Sequence, residues 1–381
     1  MVKWLMMIKK GLKALLFCLF FLALGQQFYK LYFVFLQDNF VDFKVYWDAV
    51  RAALAGGDIY SFGGLYLNKI PFNYPPTTLL FLTFLPVFSK EIASLLLLLI
   101  SLGSLLGSIW LMTKMLFKKS ERLIAFLIFS IFFVQFFPTK FTLTLGQINL
   151  VVLLLITLCF YSFQNKKEIL SGIFLAIATL IKIFPGFLFF FFWREKRWKT
   201  LVSFCLVLLT GFVLTTLVFK PTVLLNYFSG IGRNLFFKAG ELTYFDQSLN
   251  SFLLRLGFTE VWRLTLRLIF TFTSLVIFLK AKDKLLAFFG LIASVMIFLP
   301  SFVWFHHYVI FIPLLTVLFA KIFQGKSLLS KLILFLAYFL ISFHFRHPEI
   351  FPAKNILLAS HPFFGALLLW FYSIKLSFEK K

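Results

Sequence analysis

Long apolar runs separated by short polar segments recur from one end of the chain to the other. A helix crosses the ~30 Å hydrocarbon core of a bilayer with about 20 apolar residues. The runs cover about residues 14–24, 31–36, 75–89, 91–117, 123–137, 147–163, 168–193, 200–219, 262–279, 285–300, 306–320, 329–343 and 359–374. This pattern predicts an all-α, polytopic integral membrane protein with about 10–12 transmembrane helices. No polar stretch is long enough to fold alone, so we expect one integral domain over residues 1–381.

The basic residues indicate how these helices are oriented. The chain has 38 Lys and Arg against 14 Asp and Glu, a formal net charge of +24, and its basic residues cluster between apolar runs. Cytoplasmic loops are enriched in this way, so the charge indicates membrane topology and not a nucleic-acid partner. The clusters expected in the cytoplasm are Arg194–Lys199, Lys280–Lys284, Lys321–Lys331 and Lys375–Lys381. Both termini are then cytoplasmic in a plasma (inner) membrane, and outer loops at about 37–74 and 220–261 face the other side.

The topology between residues 75 and 193 has two solutions. If every apolar run crosses the membrane, Lys118-Lys119 and Lys166-Lys167 lie outside, against the positive-inside rule. If 75–89 is re-entrant and 168–193 breaks near Pro185 into a hairpin, every basic cluster is cytoplasmic. Both solutions keep the two outer loops outside.

The composition excludes several classes of protein. Hydrophobic residues make up 61% of the chain, charged residues 14%, and Phe alone accounts for 59 positions, which is too apolar for a water-soluble enzyme. The three cysteines lie inside apolar runs without a CxxC spacing, so neither a disulfide framework nor a zinc site is predicted. The sequence has no HExxH, GxSxG, P-loop or GxGxxG motif, and its first outer loop has no Asp-x-Asp pair. We therefore expect no metal and no resident cofactor.

The first outer loop contains a predicted amphipathic helix that lies in the membrane interface. Its apolar positions follow helical spacing and are Phe43, Trp47, Val50 and Leu54. Asp42 stands at the helix start, where a carboxylate can cap the helix or serve as a general base. The helix dipole should keep the pKa of Asp42 low. Asp38 is its local rival as a base.

Polar residues at membrane depth are costly, and ionisable ones are candidates for function. Lys182 is the clearest, because Pro185 follows it and breaks the helix, which is tolerated within protein or at a cavity. Alternatively, this lysine snorkels to the nearest interface. Gln147 and Asn149 open another apolar run, where their amides can donate to a hydroxyl-rich ligand or hold helices together.

Three more candidates lie near the outer ends of the predicted spans. His306 and His307 are adjacent, so they point in different directions on a helix and are poor joint metal ligands. Either can donate to a phosphate or a sugar, or be an interfacial histidine without a role. Arg255, in the second outer loop, can bind a phosphate or anchor that loop.

An ordered set of these segments resembles glycosyltransferase family 87. The family opens with an Asp, an aromatic-rich helix, Gly-Gly-Asp-x-Tyr and Tyr-Pro-Pro, and the matching residues here are Asp42, Gly56-Gly57-Asp58-Ile59-Tyr60 and Tyr74-Pro75-Pro76. The later matches are Gly146-Gln147-Ile148-Asn149, the block from Ser171-Gly172 through Lys182-Ile183-Phe184-Pro185 to Trp198, and more weakly Gln247-Ser248-Leu249-Asn250 and His306-His307-Tyr308. Together they span roughly residues 38–310.

The resemblance implies a GT-C-like membrane glycosyltransferase. Characterised members of the family are mannosyltransferases that build phosphatidylinositol mannosides and take the sugar from a polyprenyl-phosphate carrier on the extracytoplasmic face. A first-loop Asp is their base, and Asp42 matches that position. The predicted substrate-binding residues are then Lys182, Gln147, Asn149, Arg255, His306, His307 and Tyr74. The expected partners are a lipid-linked sugar donor, a lipid or glycan acceptor and membrane lipids.

Two other functions remain open from the sequence. A polytopic transporter or flippase for lipid-linked glycans would have a similar composition, although we find no internal repeat of the kind such proteins carry. An O-antigen ligase-like enzyme would use a larger outer loop, rich in Arg and His, than residues 220–261 provide.

Overall fold

The computed structural model describes residues 2–60, 72–237, 242–323, 325, 327–346 and 355–379. Within these residues the chain is helical and has no β-strand, which confirms the predicted all-α class. The α-helices are α1 (Val2–Leu36), α2 (Val41–Leu54), α3 (Lys90–Leu116), α4 (Arg122–Gln135), α5 (Phe137–Leu145), α6 (Asn149–Gln164), α7 (Glu168–Ile181), α8 (Phe189–Arg194), α9 (Trp198–Phe219), α10 (Thr222–Asn226), α11 (Gly232–Phe237), α12 (Leu249–Arg255), α13 (Glu260–Lys280), α14 (Lys284–Phe298), α15 (Phe311–Phe323), α16 (Leu328–Ser342), α17 (Ile356–Ala359) and α18 (His361–Phe378).

Several of these helices have the length and composition of membrane spans. Five qualify among the described residues: Gly11–Leu36, Lys90–Leu116, Trp198–Phe219, Glu260–Lys280 and Phe305–Phe323. The pair α4 and α5 makes a sixth, bent by 63°. The break lies at Phe136, whose backbone is extended, and Pro138 follows in the first turn of α5, where its missing amide hydrogen costs no helical hydrogen bond. Helices α14 and α15 form the buried centre, whereas α1 and α9 leave apolar side chains on the surface, where lipid tails can cover them.

The run at 75–89 does not form a spanning helix. It contains two short 3₁₀ segments, Pro76–Phe81 and Leu85–Val87, each with a proline at its start. Lys90 directly follows this run, and its ammonium lies 2.9 Å from the carboxylate of Asp38, which directly follows α1. The run therefore begins and ends at the same end of the bundle and does not cross it.

The run at 168–193 is also broken, as the second topological solution requires. Helix α7 ends at Ile181, and a 3₁₀ turn, Phe184–Leu188, leads into α8. Proline at position 185 lacks the amide hydrogen that would continue the helix. Arg197, after α8, pairs with Glu168 at the start of α7 at 3.0 Å, so the segment is a hairpin whose two ends meet.

The loops that carry the basic clusters meet at one end of the bundle. Arg194 donates to the carbonyl of Ala281 at 2.6 Å, and Lys321 pairs with Asp283 at 2.6 Å. Asp42 lies at the opposite end of the bundle. The 168–197 hairpin begins and ends at the basic end and turns at Lys182, and the charge of Lys182 acts on Asp42. This arrangement is the one in which every basic cluster faces the same side.

We predict that the basic end is cytoplasmic. In a protein freed of its three native cysteines, an impermeant maleimide should label Asn39→Cys in intact cells, because that residue is exposed at the end that holds Asp42. Asn165→Cys, exposed at the basic end, should react only after permeabilisation. Labelling of position 165 but not of position 39 in intact cells would contradict the predicted orientation.

Candidate functional site

Asp42 lies in the first turn of α2, but it does not cap the helix. Phe40 occupies the cap position, and no side chain provides a cap there. The Asp42 carboxylate instead accepts a hydrogen bond at Oδ2 from Nε2 of Gln147, 2.6 Å away. Its Oδ1 accepts no hydrogen bond from the residues that the structure describes. The capping alternative is therefore wrong, and one carboxylate oxygen is available to a ligand.

The environment of Asp42 raises its pKa. Burial penalises the charged form and moves the pKa from 3.8 to about 6, and the hydrogen bond from Gln147 and the charge of Lys182 oppose this shift in part. The expectation that the helix dipole keeps this pKa low is wrong, because burial outweighs it. Asp42 remains mostly ionised at neutral pH and is more basic than an ordinary aspartate.

Asp38 occupies a different environment. Its carboxylate is exposed and pairs with Lys44 at 2.8 Å and with Lys90 at 2.9 Å. Two ammonium groups therefore compete with any acceptor hydroxyl for this carboxylate. The structure favours Asp42 over its rival as the base of a buried reaction.

Gln147 is fixed by its backbone and its side chain. Gly146 adopts the left-handed conformation at φ 71° and ends α5, which turns the next residue toward α2. The side-chain oxygen of Gln147 accepts hydrogen bonds from the hydroxyls of Tyr46, at 2.8 Å, and Tyr74, at 2.5 Å. Both ends of this amide thus bind protein groups.

Lys182 lies where α7 breaks, at the end of the bundle that holds Asp42. The hydroxyls of Thr77 and Thr78 donate to the carbonyls of Leu180 and Ile181, at 2.5 and 2.9 Å, and so satisfy groups that the broken helix leaves free. The Lys182 ammonium lies 4.9 Å from the centre of the Tyr74 ring, a cation–π distance. It has no hydrogen bond or ion pair with any described residue.

His306 and His307 open a 3₁₀ turn, Phe305–Ile310, that leads into α15. The side chains of Asn149 and Thr142 both donate to the carbonyl of His306, at 3.0 and 3.2 Å. The ring of His306 is buried, and its Nδ1 has no partner among the described residues. The His307 ring lies 4.3 Å from it, and the charge of Lys182 acts on both imidazoles.

Asn149 and Arg255 have protein partners where the sequence predicted substrate contacts. Asn149 uses its amide to hold the backbone of His306. The guanidinium of Arg255 donates to the carbonyls of Thr243, at 2.7 Å, and Asp246, at 2.9 Å, and to the hydroxyl of Ser360 at 3.1 Å. These contacts match the alternative in which Arg255 anchors the second outer loop.

The sequence analysis missed Asp246 and Tyr46. Asp246 is buried, and its Oδ1 accepts backbone N–H bonds from Ser248 and Val303, both at 3.0 Å. It thereby ties the second outer loop to the segment that precedes His306. Its position directly before the Gln-Ser-Leu-Asn motif was the available signal in the sequence.

Tyr46 lies one helical turn after Asp42, and that spacing was the signal that the two side chains share one face of α2.

The site therefore combines one basic carboxylate, one ammonium without an acidic partner in hydrogen-bond contact, and two histidines. A carboxylate with an open oxygen can accept a proton, and the cation and the imidazoles can stabilise an anion. Within the described part of the chain, no group of three or more His, Cys, Asp or Glu side chains comes together as a metal ion would need.

Comparison with known proteins gives a family for the chain. The model of glycosyltransferase family 87 matches residues 72–305, which is more than half of the sequence. No curated protein matches the chain. Among solved structures, the chain is similar to apo ArnT from Cupriavidus metallidurans, with 13% identity, a TM-score of 0.39, and coverage of 89% of this chain and 71% of that one.

We predict that Gly146→Ala destabilises the site. A Cβ there would lie 2.7 Å from Cβ of Phe43, and the residue has a positive φ, so the substitution should cost about 1–3 kcal/mol. Thermal unfolding in detergent would measure the loss. Gly103→Ala is the matched control, because nothing lies within 4 Å of a Cβ at that position and alanine favours a helix. Equal stability of the two variants would contradict the prediction.

Proposed function

We propose, since the chain belongs to glycosyltransferase family 87, that it transfers a hexose from a polyprenyl-phosphate carrier to a lipid or glycan acceptor on the extracytoplasmic face of the membrane. The family and the apolar helices support a membrane glycosyltransferase. The resemblance noted from the sequence supports mannose as the sugar.

The observation that carries the proposal is the pair of Asp42 and Lys182. Asp42 offers an unpartnered oxygen, and Lys182 offers an ammonium without a hydrogen-bonded partner among the described residues, in the same polar site. Transfer from a sugar phosphate needs a base for the acceptor and a cation for the leaving phosphate. Asp42 and Lys182 would supply both within one environment that is partly closed to water.

The proposed reaction is a single displacement. The acceptor hydroxyl gives its proton to Oδ1 of Asp42, and its oxygen forms a bond to the anomeric carbon of the sugar. The bond between that carbon and the carrier phosphate breaks, and its electrons leave with the phosphate. The acceptor oxygen attacks the face of the sugar opposite the leaving phosphate, so this single displacement inverts the configuration of the anomeric carbon.

The cations of the site have a proposed role in the departure of the carrier. Lys182, His306 and His307 would contact the phosphate oxygens, on which negative charge increases as the bond breaks. The unpartnered Nδ1 of His306 and the ammonium of Lys182 can each donate a hydrogen bond without breaking one to protein. Asn149 would contribute by holding the His306 backbone in place.

The experiment that tests the function is a transfer assay with the full chain reconstituted in liposomes. Polyprenyl-phosphate mannose and polyprenyl-phosphate glucose are supplied with an extract of membrane lipids as acceptor. We expect a new glycolipid that depends on the mannose donor. Movement of the intact donor across the bilayer, without any product, would indicate a flippase and overturn the proposal.

Asp42→Asn should reduce transfer by about 10²–10⁴-fold, because the amide cannot accept the proton at neutral pH. The side chains have nearly the same shape, so folding should be retained. In the unmodified protein, kcat/KM should rise with pH through about 6, as Asp42 loses its proton. Asp38→Asn is the control and should keep most activity. A large loss in that variant with an active Asp42→Asn would transfer the role to Asp38.

A further inference from the structure

We propose that Gln147, Tyr46 and Tyr74 form a positioning clamp for the base, which fixes one oxygen of Asp42 and leaves the other for the acceptor hydroxyl. This inference rests on the proposed function. It also changes the role of two residues that the sequence indicated as substrate-binding, because Gln147 and Tyr74 would act through Asp42.

The two tyrosine hydroxyls contact the oxygen of the Gln147 amide. Tyr74 donates to Oε1 of Gln147 at 2.5 Å. The Tyr46 hydroxyl lies 2.8 Å from the same oxygen and 2.7 Å from the Tyr74 hydroxyl, and its single hydrogen binds one of these two oxygens at a time. The amide oxygen thus faces hydroxyl donors while the amide nitrogen points the other way.

The amide nitrogen points at the carboxylate of Asp42. Its distance to Oδ2 is 2.6 Å. A rotated amide would place its oxygen against the carboxylate oxygen, and two acceptors at that distance repel each other. The ionised Asp42 therefore selects this amide orientation, in which the tyrosine hydroxyls can donate to the amide oxygen, and its Oδ1 atom stays unpartnered among the described residues.

Each member of the clamp is held by a different part of the chain. Tyr46 is one turn after Asp42 on α2, and it is fully buried. The backbone amide of Gln147 donates to the carbonyl of Thr142 at 2.9 Å. The hydroxyl of Tyr60 donates to the backbone carbonyl of Tyr74 at 2.8 Å. A substrate would not need to assemble this clamp, because it is complete in the protein alone.

A neutral donor suits a base better than a cation would. A lysine or arginine bonded directly to Asp42 would stabilise the carboxylate strongly and reduce its tendency to accept a proton. The Gln147 amide satisfies one oxygen with a smaller effect. The clamp thus orients the base while it keeps the carboxylate basic enough to take part in proton transfer.

The test is the pH profile of kcat/KM for Gln147→Met in the reconstituted transfer assay. Without the amide donor, the pKa of Asp42 should rise by about one unit. Activity relative to the unmodified protein should then fall about fivefold at pH 6 and less than twofold at pH 8.5. The KM for the donor should stay unchanged, because Gln147 would not touch it.

Gln135→Met is the matched control. Gln135 also donates to a side-chain oxygen, that of Gln26 at 3.0 Å, but it contacts no residue of the site. Its pH profile should coincide with that of the unmodified protein. A shift of similar size in this variant would contradict the clamp.

If Gln147→Met does not fold, the double variant Tyr46→Phe with Tyr74→Phe tests the clamp. It retains the Gln147 amide but removes the hydroxyls that hold its oxygen, so the acidic limb of the pH profile should move in the same direction as in Gln147→Met. A uniform loss at every pH, with the limb unmoved, would overturn the clamp. If the unmodified protein transfers no sugar, the proposed function fails instead, which separates the two conclusions.

Discussion

The hydrogen bond between Gln147 and Asp42 is the contact on which the rest of the site depends. A carboxylate at the edge of a membrane loses hydration, and this loss favours its protonated form. A direct ion pair would reverse that effect but would also remove its basicity. The uncharged amide leaves Asp42 with a pKa of about 6. Because Gln147, and not Lys182, is the hydrogen-bond partner of Asp42, the carboxylate and the ammonium lie in one site without a direct ion pair between them.

The site is built from interruptions of helices rather than from helices themselves. Helix α7 stops before Lys182, α5 stops at Gly146, and a 3₁₀ turn precedes α15. Each interruption frees backbone groups that lipid cannot satisfy. Polar side chains satisfy them here, as Thr78 does for Ile181 and Asn149 for His306. Some polar residues of the predicted site therefore hold the backbone in place, and the others remain available for a substrate.

The sequence predicted the class of fold and much of the site, but it could not predict which partner each side chain would choose. Hydropathy located the apolar runs because lipid exposure imposes a strong compositional constraint. It could not show whether 75–89 crosses the membrane, since a re-entrant segment buried in protein is equally apolar. The prolines in that run and at position 185 were the local signals for the breaks.

The contacts within the site were beyond local patterns for a different reason. Asp42 and Gln147 are 105 positions apart in the sequence, and no periodicity relates residues at that separation. The motif resemblance brought both into one list of candidates but assigned Gln147 to the substrate. Arg255 shows the same limit, because its guanidinium could serve a phosphate or the carbonyls of its own loop, and the fold provides the carbonyls.

Asp42 and Asp246 show why burial alone does not identify a base. Burial raises the pKa of both carboxyls to about 6. Asp246, however, uses Oδ1 to bind the backbone of Ser248 and Val303, and it lies within reach of the charge of Arg255. It joins two segments, and protonation would weaken that joint. Asp42 holds no backbone in place, so it can exchange a proton without disturbing the fold, and this freedom supports its proposed role as the base.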